Sequence, residues 1–354
     1  MRILAIGPLW RGSNAGGLFR ALSRQGCIIE VIDEFYFISL QTKRKLTKIL
    51  ERVIRPWQAD EYNTAIIKKI NVFSPEVLLV YKGAFVRPET LQYARQKKCR
   101  LVLFYPDVSM TAHGPNIPKA IPLYDLIFTT KTFGITDMQV KYGVKNAIFI
   151  PHGYDPEIHR KLEIGAGDKQ KFGCDVSFIG TWSPKKEEWL AALKQKCPDI
   201  DLKIWGDQWY KANTQAIKDS IQFTAVLGDL YAIAIQCSKI NLGILSEQVS
   251  GSSSGDLITS RTFHIPGSSG FLLHERNEES VLYFEENKEA GFFNGAEEMA
   301  TQVKNFLDNS TLRASIQASG YARALSEHSL DERAKTIISY MHRQFGTSDK
   351  EGYT

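Results

Sequence analysis

Short apolar runs alternate with stretches of helical period along nearly the whole chain. Residues 2–6 (RILAI), apolar throughout after Arg2, read as a strand. The stretch LFRALSRQG then spaces its apolar residues at three and four up to a stop at Gly26, and 27–33 (CIIEVID) is a second strand ending on an acid. The same alternation gives a helix over about 60–72, strand 76–81 (EVLLVY), a short helix to Lys98, and strands at 100–107 (RLVLFYPD), 126–130 (LIFTT) and within 146–160 (NAIFIPHGYDPEIHR). After the polar run 161–173 it begins again. Strands are expected at 174–180 (CDVSFIG), 201–209 (DLKIWGDQW), 240–245 (INLGIL) and 270–275 (GFLLHE), with helices between them and at about 296–308, in SIQASGYARALSEH and at 330–345. Strands that are apolar throughout and separated by helices imply parallel sheets covered on both faces.

Two such series make two α/β domains, each laid out like a Rossmann-like unit. The expected division is 1–160 for an N-terminal domain, 161–173 for a linker, 174–327 for a C-terminal domain, 328–345 for a helix crossing back to the first domain, and 346–354 for a tail. The turn-rich PHGYDP suits the crossing between domains.

Composition narrows the classes. A chain of 354 residues, 43% hydrophobic and 23% charged, has material for two cores. The net charge of +5 is too small for a dedicated nucleic-acid binder. Five scattered cysteines fall in no metal-binding spacing and read as reduced thiols, so no metal site is expected. The opening residues lack a signal-peptide core, and no run reaches membrane-spanning length, which places the chain in the cytoplasm. Residues 41–56 carry Lys43, Arg44, Lys45, Lys48, Arg52 and Arg55 around a helical apolar spacing. Such a helix could touch the anionic inner face of a membrane. The plainer reading is a domain helix with its charges in water.

Candidate chemistry collects where strands end, because ligands of parallel sheets lie beyond the carboxyl ends of the strands. After the first strand, the loop GPLWRGSNAGG offers Gly12, Asn14 and Gly16. Its glycines miss the dinucleotide spacing, which argues against a nicotinamide cofactor, yet its N–H groups could meet a sugar or phosphate. Asp107 and His113, with Ser109, follow the strand 100–107 and are candidate proton acceptors. Gly180, Thr181 and Ser183 precede Pro184 and a helix opening with Lys185 and Lys186, a plausible diphosphate seat. Gly206 and Asp207 end another strand. Following the Ser/Gly loop 250–255, the stretch DLITSRTFHIPGSSGFLL sets Asp256 before a short helix that carries Arg261 and His264 three residues apart.

The ordered series DVSFIGTWSPKKEEWL, IWGDQW, SKINLGIL, SRTFHIPGSSGFLLHE and NFLDNSTLRASIQASGYARALSEHSLDERAKTII resembles the C-terminal half of CgeB-like glycosyltransferases of the GT-B group, over about 174–340. In the first half only the architecture and FIPHGYDPEIH look alike. The resemblance implies two Rossmann-like domains facing across a cleft, an acceptor on the first beside the loop of Gly12, Asn14 and Gly16, a nucleotide-sugar held mainly by the second, and sugar transfer without a metal ion or other cofactor. It implies that the Gly180–Lys186 loop touches the diphosphate, that Gly206 and its neighbours line the base pocket, and that Arg261 reaches the phosphates. Asp256 and His264 occupy the spacing of the acidic pair of many retaining enzymes of this fold. His264 departs from that pattern: the family's second acid holds the ribose hydroxyls, and an imidazole offers fewer acceptors than a carboxylate.

The expected activity is transfer of a sugar from a nucleoside-diphosphate-sugar to an acceptor hydroxyl on a glycan, lipid-linked or other glycoconjugate, with retention favoured by the Asp256 spacing. An inverting route would use Asp107 or His113 as base. A nucleotide-sugar epimerase of the same fold and a catalytically weak sugar-nucleotide or glycan-binding module are the rivals.

Overall fold

The computed structural model of the chain describes residues 1–38 and 45–346, with side chains for all of these except 45–52. It contains two compact units. The first comprises Met1–Pro151, Val249–Ser253 and the chain from Asp331, and the second comprises His152–Gln248 and Ser254–Leu330.

The first unit is built on six parallel strands, β1 (Arg2–Gly7), β2 (Ile28–Asp33), β3 (Val77–Tyr81), β4 (Arg100–Tyr105), β5 (Leu126–Thr129) and β6 (Ala147–Phe149), in the order β2-β1-β3-β4-β5-β6. All five residues of β3 are buried, as its continuous apolar run VLLVY requires of a strand covered on both faces. On the edge, β2 exposes alternate residues. One face is closed by Tyr62, Ile66 and Ile70 of the helix Lys45–Phe73 against Leu4, Ile6, Leu78 and Val80.

That helix corrects the sequence reading, which ended one helix at the proline and began another at 60. It runs unbroken through Pro56 for 29 residues. Tyr62, Ile66, Ile70 and Phe73 are all buried, and their packing outweighs the hydrogen bond that proline removes. The basic segment 41–56 is described only in part: residues 41–44 and the side chains of 45–52 lie outside the described residues. Among the described residues no helix is long and apolar enough to cross a membrane.

The second unit has five parallel strands, β7 (Cys174–Ile179), β8 (Leu202–Trp205), β9 (Ser238–Gly243), β10 (Leu272–Glu275) and β11 (Gly291–Phe293), in the order β11-β10-β9-β7-β8. Counted from its own first strand this is 2-1-3-4-5, the same order as the start of the first sheet. In both, the winding direction reverses between the unit's first and third strands, and the crevice at that reversal is where such folds receive ligands.

Two further differences from the sequence reading have simple causes. Within the expected linker 161–173 the helix Ala166–Phe172 forms, because Phe172, 3% exposed, packs on Trp205. The second unit also begins earlier, at His152. Tyr154 forms a bridge with Ser329, its N–H donating to the His328 carbonyl at 3.0 Å and its carbonyl accepting from Leu330 N–H at 2.8 Å. The last helix, Leu330–Phe345, belongs to the first unit from Asp331 onward, where Asp331 pairs with Arg24 at 2.8 Å and Tyr340 packs on Phe128.

Candidate functional site

The reversal point of the second sheet lies between β7 and β9, and Arg261 occupies it. The helix Ser260–Gly267 starts at Thr259, whose backbone N–H donates to Thr262 Oγ1 at 3.1 Å. The same hydroxyl meets His274 Nε2 at 2.9 Å, and His274 Nδ1 contacts the Glu275 carbonyl at 2.6 Å, so the helix is tied to β10. Phe263, fully buried against Tyr283, Phe284 and His328, fixes its rotation.

This rotation turns Arg261 toward the strand ends. Its guanidinium donates to the Ile244 carbonyl at 2.8 Å beyond β9, and to the Ile179 carbonyl at 3.5 Å at the end of β7. The Phe178 ring lies 5.2 Å from its central carbon. Its Nε has no hydrogen-bond partner among the described residues, and burial lowers the guanidinium's pKa. A desolvated cation with an unused donor at a ligand-binding reversal point is arranged for an anion.

Gly180 and Gly206 make room for it. A side chain on Gly180 would come within 2.7 Å of an Arg261 nitrogen, and one on Gly206 within 2.0 Å of the Gly180 carbonyl oxygen. Gly206 also has φ +136°, a conformation that side chains disfavour. Gly206→Ala is therefore expected to destabilise the protein by about 2 kcal/mol or more. Its denaturant midpoint checks this, and a midpoint equal to wild type would refute the close approach.

Of the two lysines, only Lys186 faces this place. Its helix, Pro184–Lys196, is capped by Ser183, and its Nζ donates to Ser246 Oγ at 2.9 Å and the Thr181 carbonyl at 3.2 Å. Burial, then the nearby Arg261 charge, brings its pKa down to about 8 against the pull of Asp256 and Glu247, so it remains largely protonated at neutral pH. Lys185 differs from the expectation. It pairs with both carboxylate oxygens of Glu275, at 2.7 and 2.9 Å, and lies over Trp189, which commits its charge. Glu275 is held in turn by Leu245 N–H.

Asp256 is half-buried, its N–H donating to the Ser246 carbonyl at 2.9 Å, and its charge acts on both Lys186 and Arg261. Asp207 contributes its backbone carbonyl to Trp182 N–H at 2.9 Å. His264 is placed otherwise than expected. It is 7% exposed, stacked on His159 with centroids 3.7 Å apart and met edge-on by Tyr231 at 5.9 Å. Burial first, and then the charges of His159 and Arg261, push its pKa well below the usual imidazole value, so the ring is neutral and interior. Its Nε2 and the Tyr231 hydroxyl are both buried without a hydrogen-bond partner among the described residues.

The remaining candidates belong to the first unit. Gly12 adopts φ +94°, and Ser13 caps the helix Asn14–Arg24. Ser13 Oγ accepts the Gly16 N–H at 3.0 Å, so that N–H serves the cap and not a ligand. Asp107 accepts from Lys82 Nζ at 2.8 Å and His113 Nε2 at 3.0 Å. Burial would raise its pKa, but the hydrogen bond from His113 and the charge of Lys82 hold it well below the carboxylate range. A carboxylate so stabilised is a poor base.

Sequence reasoning missed Ser246, Glu247, Glu275 and Tyr231. The first two lie three and four residues past the end of β9, and the strand-end rule that singled out Asp107 applies to them equally. Among the described residues no group of three His, Cys, Asp or Glu side chains is placed to hold a metal ion.

Residues 185–339 match a glycosyl transferase-like family model. No curated protein sequence matches the chain. Among solved structures, a glycosyltransferase from Rickettsia africae ESF-5 is similar at TM-score 0.66 and 12% identity, covering 98% of this chain and 99% of that one. Sucrose-phosphate synthase from Thermosynechococcus elongatus matches at TM-score 0.66 and 8% identity, covering 98% and 99%. Anabaena HepE in complex with UDP-glucose matches at TM-score 0.65 and 13% identity, covering 97% and 100%. The fold, with two Rossmann-like units, is that of these GT-B structures, and the stretch similar to the glycosyl transferase-like model falls mostly on the second unit.

Proposed function

We propose that this chain is a glycosyltransferase of the CgeB-like kind, taking its sugar from a nucleoside-diphosphate-sugar whose diphosphate rests on Arg261 and Lys186. The observation that carries the reading is Arg261 itself, fixed on two strand-end carbonyls at the reversal point with Nε unused. As the glycosidic bond to the donor breaks, negative charge grows on the leaving diphosphate. A buried guanidinium and a largely protonated Lys186 stabilise that charge better than water does, because both are held in place before the reaction begins. Gly180, Thr181 and Gly206 leave space for the phosphates and nucleoside.

A uridine donor is the first choice, since structures of HepE, which shares the fold, contain UDP and UDP-glucose. Retention is favoured over inversion, because Asp107, the leading candidate base for inversion, is committed to Lys82 and His113. The interior placement of His264 leaves the ribose to backbone groups near Gly206. The acceptor is a glycan or lipid-linked glycoconjugate, and the basic segment 41–56 is the surface proposed for any membrane contact.

The test is a thermal-shift series with UDP, GDP, dTDP and CMP. A nucleotide at about a hundred times its dissociation constant stabilises by roughly 2.7 kcal/mol, or several degrees for a protein of this size. UDP is expected to give the largest rise. No rise with any of the four would refute the donor site.

A further inference from the structure

One short segment changes units. Val249–Ser253 belongs to the first unit, while the chain that leads into it at Gln248 and leaves it at Ser254 belongs to the second. After Val249 this strap is all serine and glycine, a composition that is flexible by itself. Polar contacts hold it in the first unit.

The helix Thr132–Tyr142 supplies two of them from one face, because Asp137 and Lys141 are four residues apart. Asp137 Oδ2 accepts the Ser253 N–H at 2.9 Å, and Lys141 Nζ donates to the Gly251 carbonyl at 2.8 Å. Asp137 is only 5% exposed, and its approach to Lys141 is long at 3.8 Å. A carboxylate so buried needs a close donor, which the Ser253 N–H supplies. Ser109, beyond β4, donates from Oγ to the Ser250 carbonyl at 2.8 Å. The hydroxyl singled out beside Asp107 and His113 is thus spent on the strap. Gly251 has φ +88°, and a side chain on it would come within 2.3 Å of Thr111 Oγ1 and 2.7 Å of Ser109 Oγ. The grip is on the backbone and requires small residues.

Both roots of the strap carry parts of the donor seat. Asp256 N–H donates to the Ser246 carbonyl at 2.9 Å, which closes the neck, and a side chain on Gly255 would come within 2.6 Å of that carbonyl oxygen. On the near root Ser246 Oγ accepts from Lys186 Nζ at 2.9 Å, and Glu247 Oε1 accepts the Lys185 N–H at 2.9 Å. On the far root the charge of Asp256 acts on Lys186 and Arg261. While the tip of such a loop is loose its roots can shift; fixing the tip removes that freedom before any ligand arrives.

We propose that Asp137, supported by Ser109 and Lys141, is a positioning residue for the donor site: it holds the strap so that Ser246 and Asp256 keep Lys186 in place. That Lys186 receives a nucleoside diphosphate rests on the reading above; the hold on the strap does not.

In the full chain, Asp137→Ala is expected to weaken UDP binding by calorimetry about tenfold, the scale of one hydrogen bond to an ionised group. Asp137→Asn keeps an acceptor for the Ser253 N–H and should restore most of that affinity. Added to Lys186→Met, Asp137→Ala should cost little further, since both act through one side chain. In the ligand-free protein the Asp256 amide should exchange about tenfold faster in Asp137→Ala than in wild type, with the β9 amides unchanged. Lys141→Ala, at a half-exposed side chain, should move both readouts the same way by about threefold, and it decides the matter if Asp137→Ala folds poorly. Unchanged Asp256 exchange, unchanged UDP affinity, or full additivity with Lys186→Met would overturn the proposal. Faster Asp256 exchange in a protein whose wild type does not bind UDP would keep the strap's hold on Lys186 and remove the donor reading instead.

Discussion

Arg261→Met is expected to lower kcat/KM by about 10²–10³-fold, the usual cost of removing one preorganised donor from a developing anion. The melting temperature of the ligand-free protein should stay the same or rise. These opposite effects follow from how the guanidinium is held. It is desolvated enough that its pKa falls, and its Nε is unsatisfied, so without an anion beside it the guanidinium is an unfavourable buried charge. Methionine fills similar volume beside Phe178 and Gly180 without that charge. The Ile244 carbonyl loses a partner, which limits the gain. A side chain that served the fold would give the reverse pattern, a large fall in melting temperature with the UDP shift retained. Measuring donor hydrolysis or transfer together with melting curves, with and without UDP, separates the two. Lys186→Met makes a useful companion, because Lys186 spends its hydrogen bonds on Ser246 and Thr181 and keeps its charge at neutral pH.

The two parallel sheets were legible because β3 and β4 are apolar runs too long and too continuous for half-exposed strands. The strand-to-helix turn around Gly180 and Lys186 was legible too, since strand, small residues, proline and lysines follow one another in the chain. What could not be read depends on partners remote in sequence. Lys185 and Lys186 are equivalent in the sequence, and only the return of Glu275 at the end of β10 neutralises the first and leaves the second facing the site. His264 has the spacing of a ligand-facing residue, but the ring it meets is His159, from the segment read as a crossing between domains. Phe172, one apolar residue in a polar run, was too weak a signal for its helix. The short strand β11, GFF, follows directly on an acidic stretch and gave no sign of its own. Local patterns therefore found the strand ends, while the choice among the groups at those ends was made by tertiary contacts.

Acid should destabilise the second unit well before its carboxylates titrate. His264 and His274 are buried and neutral, the first with its pKa far below 6.5 and the second brought to about 4, in both cases chiefly by burial. Below about pH 6.5 the unfolded chain takes up protons on these rings and the folded chain does not, so stability falls as pH falls. Each ring contributes up to about 1.4 kcal/mol per pH unit, and because the unfolded ring is half protonated at pH 6.5 the pair gives roughly 3 kcal/mol between pH 6.5 and 5. For His274 the loss ends near pH 4, where the folded protein is also protonated. Glu187 and Glu247, whose pKa values are lowered, do not contribute in this window, whereas Glu34 of the first unit, raised by burial to about 7, stabilises the folded chain as pH falls from 7 to 5 and opposes the histidines. Because His274 Nε2 meets Thr262 Oγ1 at 2.9 Å, its protonation also loosens the helix that positions Arg261, and UDP affinity should decline with stability. Urea denaturation from pH 7.5 to 5 measures the slope. His264→Leu is expected to remove about half of the histidine contribution to it, since leucine fills the place of the ring beside His159 and Tyr231 and has no unsatisfied nitrogen to protonate. A slope identical to wild type in His264→Leu would show that these histidines titrate alike in the folded and unfolded chain, and the neutral, interior placement of His264 would then be wrong.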